Sequence, residues 1–197
     1  MKKTTVILLV LFGALCAIAL SCASTGGAKG GDAPQGVPAL GTWYTYDDHE
    51  PPNNGTSTCT MTETSEDGMT AYHFAWEVTS KFIYGFAGFG YTPDDDAKEK
   101  LKTTVNGITF KVKGDGQRYA VKYMTDDIAD YSYYEYVFGT DKDKTVTIDV
   151  PMKYFMQPSW GIYKKLNRDR FFEIQWQTTN NGKPGTGELT VWDLQLY

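Results

Sequence analysis

The chain has 197 residues, 19 Lys and Arg against 24 Asp and Glu, a formal net charge of −5, and 15% aromatic residues. Such an acidic balance argues against nucleic acid and against adsorption of the whole domain on anionic lipid surfaces. The two histidines, His49 and His73, show no paired metal spacing, and no G-x-S-x-G, Cys–His pair or GxxxxGK[ST] stretch occurs, so zinc sites, acyl-transfer nucleophiles and phosphate loops have no support.

Lys2 and Lys3 precede an unbroken apolar run from Val6 to Leu20. As a helix this run spans roughly 22 Å, against the roughly 30 Å of a bilayer core. A basic start, a short apolar centre and small residues after it predict a signal peptide over 1–21. "ALSC", 19–22, resembles the lipobox of bacterial lipoproteins, with Ala19 where that pattern usually has Leu. The resemblance implies lipidation of Cys22, an anchor in a membrane, and a place in the bacterial cell envelope. Cys16 then leaves with the signal, and Cys59, in "TSTCTMTE", has no partner and is expected as a buried thiol. Residues 22–39 are rich in Gly, Ala and Pro, and are expected to be a flexible tether.

From residue 40 to residue 197 the pattern is β nearly throughout, and the length suits one domain with a real core. Runs rich in Val, Ile, Thr and aromatics predict strands over 43–46, 56–63, 70–78, 83–91, 107–113, 119–124, 131–138, 145–150, 171–178 and 187–196. "EDG" at 66–68, "GDG" at 114–116 and "NNGKPG" at 180–185 read as turns that need positive φ. "TPDDDAKEKL", 92–101, predicts one short helix with Thr92 as N-cap and Pro93 in its first position. Its acids suit the helix start, so the DDD run reads as a solvated helix end. The expected fold class is an all-β sandwich with one short helix.

"GITFKVKGDGQRYAVKY" at 107–123, "TVTIDVPMKYF" at 145–155 and the closing "GELTVWDLQLY" at 187–197 occur in an order that resembles one superfamily. It joins the family 11 carbohydrate-binding modules and the complex I intermediate-associated protein family. Pro151, Met152 and Phe155 fill its Pro–apolar–aromatic motif, and Asp193 supplies the acid of the final strand. The resemblance implies a galactose-binding-like jelly roll over 40–197. It also implies non-enzymatic work, either glycan binding in a groove on one sheet or association with protein partners. Domains of this type often hold a structural calcium where the first loop meets the last strand. "DDHE", 47–50, and Asp193 are the matching oxygens, although Trp192 stands where the family often has a second acid.

Sugar recognition needs flat aromatic faces and planar polar groups. In "DYSYYEYVF", 130–138, alternation puts Tyr134 and Tyr136 on one face, and the resemblance assigns these positions to the groove. A slip of one residue would put Tyr133 and Glu135 there instead. In "FFEIQWQT", 171–178, Glu173, Gln175 and Gln177 form a polar ladder opposite Phe172, Ile174 and Trp176. The resemblance adds Tyr84 from "FIYGFAGFGY", and Gln157 and Trp160 from the loop after the Pro-motif strand. The family often has Arg in that loop; this chain does not. Glu135 and Glu173 could be nominated for glycoside hydrolysis, but any acidic β-domain offers such a pair. The expectation is therefore a lipid-anchored envelope protein whose single domain binds a polysaccharide or oligosaccharide without catalysis or cofactor. The alternative is an interaction or assembly module for an envelope protein on the same fold.

Overall fold

Alternation of apolar and polar residues, cut by turns that demand positive φ, organises the described residues into eleven strands. The computed structural model describes residues 37–197. The expected signal peptide, Cys22 and nearly all of the tether lie outside the described residues. The strands are β1 (Val37–Pro38), β2 (Gly41–Asp47), β3 (Thr58–Glu66), β4 (Met69–Val78), β5 (Ala87–Pro93), β6 (Gly107–Gly114), β7 (Arg118–Thr125), β8 (Tyr134–Gly139), β9 (Thr145–Pro151), β10 (Phe171–Thr178) and β11 (Gly185–Leu196). Helix α1 (Asp95–Thr103) follows β5. Every strand pair is antiparallel. One sheet runs β3-β4-β11-β6-β9, with β1 on β11; the other runs β2-β5-β10-β7-β8. The result is the expected jelly-roll sandwich.

Between the sheets lies an aromatic core. Trp176 is fully buried and stacks on Trp43 and Phe89, with ring centroids 5.1 and 5.4 Å apart. Phe110 meets Trp176 edge-on from the opposite sheet. Pro34–Tyr197 form one compact unit that contains both sheets and this whole core, so residues 34–197 carry what is needed to fold alone. Cys59 is a buried free thiol, as its alternating stretch predicts. Burial, followed by the charge of Asp47, pushes that thiol up to about 12, so its nucleophilic form is suppressed.

Turn chemistry behaves as the residues require. Asp67 and Gly68 both take positive φ, which suits the tight β3–β4 hairpin. Asn181, Gly182 and Gly116 do the same in the other two predicted turns. Asp115 of the GDG turn is a bracket. Its carboxylate accepts from the Gln117 amide, the Tyr119 hydroxyl and the Glu188 backbone N–H, at 2.6, 3.1 and 3.0 Å. It thereby ties the crossing from one sheet to the other onto the start of β11.

Four expectations are corrected. β5 runs through Thr92 and Pro93, which pair with Thr42 and Gly41, so Thr92 is a strand residue rather than a cap. The N-cap is Asp94, whose carboxylate accepts from the Ala97 N–H at 2.8 Å. β5 begins at Ala87, not at 83, because Gly85 N–H turns back to the Phe82 carbonyl at 2.9 Å. β8 begins at Tyr134, because Tyr131 has φ 64° and Ser132 N–H bonds the Asp130 carboxylate at 3.1 Å. Val37–Pro38, within the stretch read as tether, pair with Leu196 and Gln195.

Candidate functional site

The outer face of the five-stranded sheet follows from its register. Tyr44 pairs with Gly90, Gly90 with Gln175, Gln175 with Lys122, and Lys122 with Glu135. A parallel row runs Tyr46, Gly88, Gln177, Ala120 and Val137. Cross-strand partners share a face, so these two rows make one surface, with Glu173 beside them on β10.

Glycine decides the shape of this surface. A Cβ at Gly90 would overlap the Tyr44 ring, and one at Gly88 would overlap the Tyr46 ring. The two tyrosines of β2 therefore fold over the bare backbone of β5 and reach toward β10. Their rings lie 6.3 Å apart and tilted at 45°. The Tyr44 hydroxyl accepts from the Gln175 amide at 3.0 Å, and that amide also donates to Glu173 at 2.7 Å. The Tyr46 hydroxyl donates to the Trp176 carbonyl at 3.3 Å and to the Gln177 side-chain oxygen at 3.4 Å. Lys122 donates to that same Gln177 oxygen at 2.6 Å. The face is thus a pair of fixed aromatic rings joined to a ladder of planar amides.

Its charged groups are half-buried, and burial is the leading cause of each shift. Glu173 and Glu135 are raised above the ordinary carboxylate range. Hydrogen bonds from Tyr44 and Gln175 oppose the shift at Glu173, and the Lys122 charge opposes it at Glu135. Lys122 is lowered, with Glu135 opposing. The Tyr44 and Tyr46 phenols are raised and stay neutral. Clefts of about 120 and 320 Å³ lie elsewhere, the first beside α1 and the second on the outer face of the other sheet. The site is an open floor suited to an extended ligand rather than an enclosed pocket.

The sequence candidates fall in different places. Glu173 and Gln175 sit on this floor. Tyr134 does not: it pairs with Tyr123 in the core, is buried, and donates its hydroxyl to the Lys164 carbonyl at 2.7 Å. Tyr136 pairs with Val121 and packs on the same core. Glu135 therefore occupies the outer face, the arrangement that a slip of one residue would give. The even-numbered residues 132–138 share one face as alternation predicts, and that face meets the core rather than the groove.

Gln157 is committed to its own loop. Its amide donates to Ser132 Oγ at 2.6 Å and to the Ile162 carbonyl at 2.8 Å, and its oxygen accepts from Lys164 N–H at 2.7 Å. Trp160 stands two-thirds exposed in that loop, beyond the β8 edge. Tyr84 is exposed in the turn before β5, and a chain of ring contacts links it to the floor: Tyr84 to Phe82, Phe82 to Phe86, and Phe86 to Tyr46.

Sequence reading missed Tyr44, Tyr46 and Lys122. The signal was present in "YTY" facing "GFG": two outward glycines on one strand leave room that two outward tyrosines on its neighbour can fill. The oxygens named for calcium do not converge. Asp48 accepts from Ser57 N–H at 2.8 Å and from its hydroxyl at 2.7 Å, whereas Asp193 faces Lys111 at 3.5 Å. Among the described residues no three His, Cys, Asp or Glu side chains gather as a metal ion would need.

The profile described as Complex I intermediate-associated protein 30 (CIA30) matches residues 33–191. The chain belongs to the CIA30 family. Among solved structures it is similar to the family 11 carbohydrate-binding module of the cellulosomal cellulase Lic26A-Cel5E of Clostridium thermocellum. That likeness has 18% identity and a TM-score of 0.59, over 82% of this chain and 92% of that one. It is also similar to a Clostridium thermocellum family 11 module in complex with a β-1,3-1,4-mixed-linked tetrasaccharide. Here the identity is 19% and the TM-score 0.57, over 78% and 87% of the two chains. At these identities the likeness establishes that this CIA30-family domain has the jelly-roll fold of those modules. No curated protein matches the sequence.

Proposed function

We propose that this CIA30-family chain is a non-catalytic carbohydrate-binding module for a glucan-like chain, held at a cell envelope by a lipid on Cys22. The observation that carries the binding reading is the floor of the five-stranded sheet. Two tyrosine rings fixed over Gly88 and Gly90 offer apolar faces, and Gln175, Gln177, Glu173 and Lys122 offer planar and charged hydrogen-bonding groups beside them. Pyranose rings present one apolar face and an equatorial rim of hydroxyls, and this floor complements both. Support comes also from the likeness to modules named for carbohydrate binding, one of them solved with a tetrasaccharide. The envelope placement rests on residues 1–22 alone.

Calorimetric titration of residues 34–197 with mixed-linkage β-glucan oligosaccharides tests the reading. Saturable binding in the micromolar to millimolar range is expected, with loss in Tyr44→Ala and Gln175→Ala. Flat titrations across a glycan panel overturn it. Radiolabelled palmitate should enter the wild-type full chain in a bacterial host and not Cys22→Ser; equal labelling of both removes the anchor.

The family's name favours one second reading, association with a protein partner in assembly. A partner captured from the host envelope that persists in excess oligosaccharide, together with flat glycan titrations, would select it.

A further inference from the structure

Ten large apolar or aromatic residues are exposed among the described residues, and six of them belong to one loop cluster. Tyr131, Tyr154, Met156, Trp160, Ile162 and Tyr163 are between 50% and 80% exposed. They lie on two segments that run together beyond β8. Met156 exchanges backbone hydrogen bonds with Glu135 at 2.9 and 3.0 Å, extending the sheet by one residue pair. Ile162 N–H donates to Asp130 at 2.7 Å, Tyr134 donates to the Lys164 carbonyl, and the Gln157 amide joins Ser132 to Ile162. A Cβ at Gly161 would overlap Ser132, so the two segments touch there. The brackets hold the loop and leave its large side chains in solvent. Their exposure is built into the fold.

The chemistry of the cluster is specific. A tryptophan and three tyrosines pair apolar bodies with polar tips, and they stand with an isoleucine and a methionine that have no polar tip at all. This mixture fits a water–lipid boundary better than it fits a sugar. The loop also reverses the charge of the chain: between 153 and 170 stand Lys153, Lys164, Lys165, Arg168 and Arg170 against Asp169 alone. Arg168 is turned onto the Leu101 carbonyl, and Arg170 pairs with Asp126. Lys153, Lys164 and Lys165 are exposed and make no ion pair among the described residues. Of the acids on the adjoining segment, Asp130 is engaged by Ser132 and Ile162, and Glu135, the backbone partner of Met156, is half-buried. The acidic composition of the whole chain therefore does not describe this surface. The apolar run at Val6–Leu20, expected from its sequence to be an export signal, would bring this chain to a bilayer.

We propose that the 131 and 154–165 segments form a lipid-facing surface that enters the headgroup region of a bilayer through Trp160, Ile162 and Met156. Lys153, Lys164 and Lys165 lie at the level of the phosphates. The surface adjoins the floor at the Glu135–Met156 pair, but it lies at the β8 edge, opposite the β2 edge that carries Tyr44 and Tyr46, and it does not depend on the glycan reading. A domain seated this way is oriented on the membrane, not merely tethered to it.

The test uses residues 34–197, which lack the apolar run, and vesicles of phosphatidylcholine with about 30% phosphatidylglycerol. The protein should pellet with the vesicles, and excess β-glucan should not release it. Trp160→Ser combined with Ile162→Ser should lower the partition about tenfold or more while the melting curve stays in place. Tyr44→Ala should leave partition unchanged. Of the five tryptophans only Trp160 is exposed, so brominated lipid should quench emission from that residue. Absence of pelleting, equal pelleting of the double variant, or emission untouched by brominated lipid overturns the proposal. A dimer that the double variant dissociates, without vesicle binding, assigns the surface to a second copy and also overturns it.

Discussion

The two sheets present outer faces built by the same alternation, yet the faces differ in kind. Across the six-stranded sheet one row reads Thr62, His73, Thr190, Lys113 and Thr145. Each of these side chains stands on its own strand, and the face has the ordinary polar texture of a solvated sheet. Across the five-stranded sheet the matching row reads Tyr44, Gly90, Gln175, Lys122 and Glu135. There the glycines remove β5 from the surface and let the β2 side chains cross it. Polarity alone does not distinguish the faces. A pair of missing Cβ atoms does.

The largest effect should come from filling that space. Gly88→Val sets side-chain atoms against the Trp176 carbonyl as well as the Tyr46 ring, and overpacking of this sort costs about 1–3 kcal/mol. Ala75→Val, outward on the other sheet between Thr60 and Glu188, should change stability by less than about 0.5 kcal/mol. Urea denaturation measures both, and equal costs would erase the contrast. Next in size, Tyr44→Ala should weaken glycan binding about tenfold or more, near 1.4 kcal/mol. Thr62→Ala with Thr190→Ala should leave it unchanged in the same calorimetric titration.

How far the sequence foretold this contrast depends on more than where the chain obeys period two. In β10 it does, and Glu173, Gln175 and Gln177 were legible as an outward ladder. In 130–138 alternation also holds, with Ser132, Tyr134, Tyr136 and Phe138 sharing one face, but the local pattern does not say which face meets the core. Tyr134 and Tyr136 point inward, against the assignment that the resemblance implied. Tyr44 and Tyr46 were legible only as strand residues, since their role requires knowing that β5 is their neighbour. Strand pairing is a long-range fact that local alternation does not contain. The Gln157 amide shows the converse. A planar polar group in a loop after a conserved-looking motif reads as a ligand contact, and in the fold it braces the loop itself.

A smaller effect is expected at that brace. Asp130→Ala removes the acceptor for Ser132 and Ile162 and should loosen the loop while leaving the global melting temperature nearly in place. Proteolysis near residue 160 should accelerate more than global unfolding does.

Smallest is a pH effect confined to the tyrosine floor. Glu173 and Glu135 have folded values above the unfolded range, so between about pH 4.5 and those raised values the folded chain holds more protons than the unfolded chain. Their contribution to stability is therefore present at low pH and falls as pH rises through that window. Melting temperatures of Glu173→Gln and Glu135→Gln should show a shallower decline from pH 4.5 toward neutrality than the wild type. An unchanged slope would place the carboxylates in ordinary solvent.

Strand β11 lies between β4 and β6, and residues 185–196 are the only link between them in the six-stranded sheet. Before those residues are made, the β3–β4 hairpin and the β6–β9 pair have no common strand. A nascent chain arrested at residue 184 has no closed sheet to trap it in the native form. It remains a substrate for chaperones and for any machinery that handles extended polypeptide. The register of this sheet is set by β11, with Asp115 placed to receive the Glu188 N–H as that strand docks. Closure of the sheet waits on the one strand that both halves share.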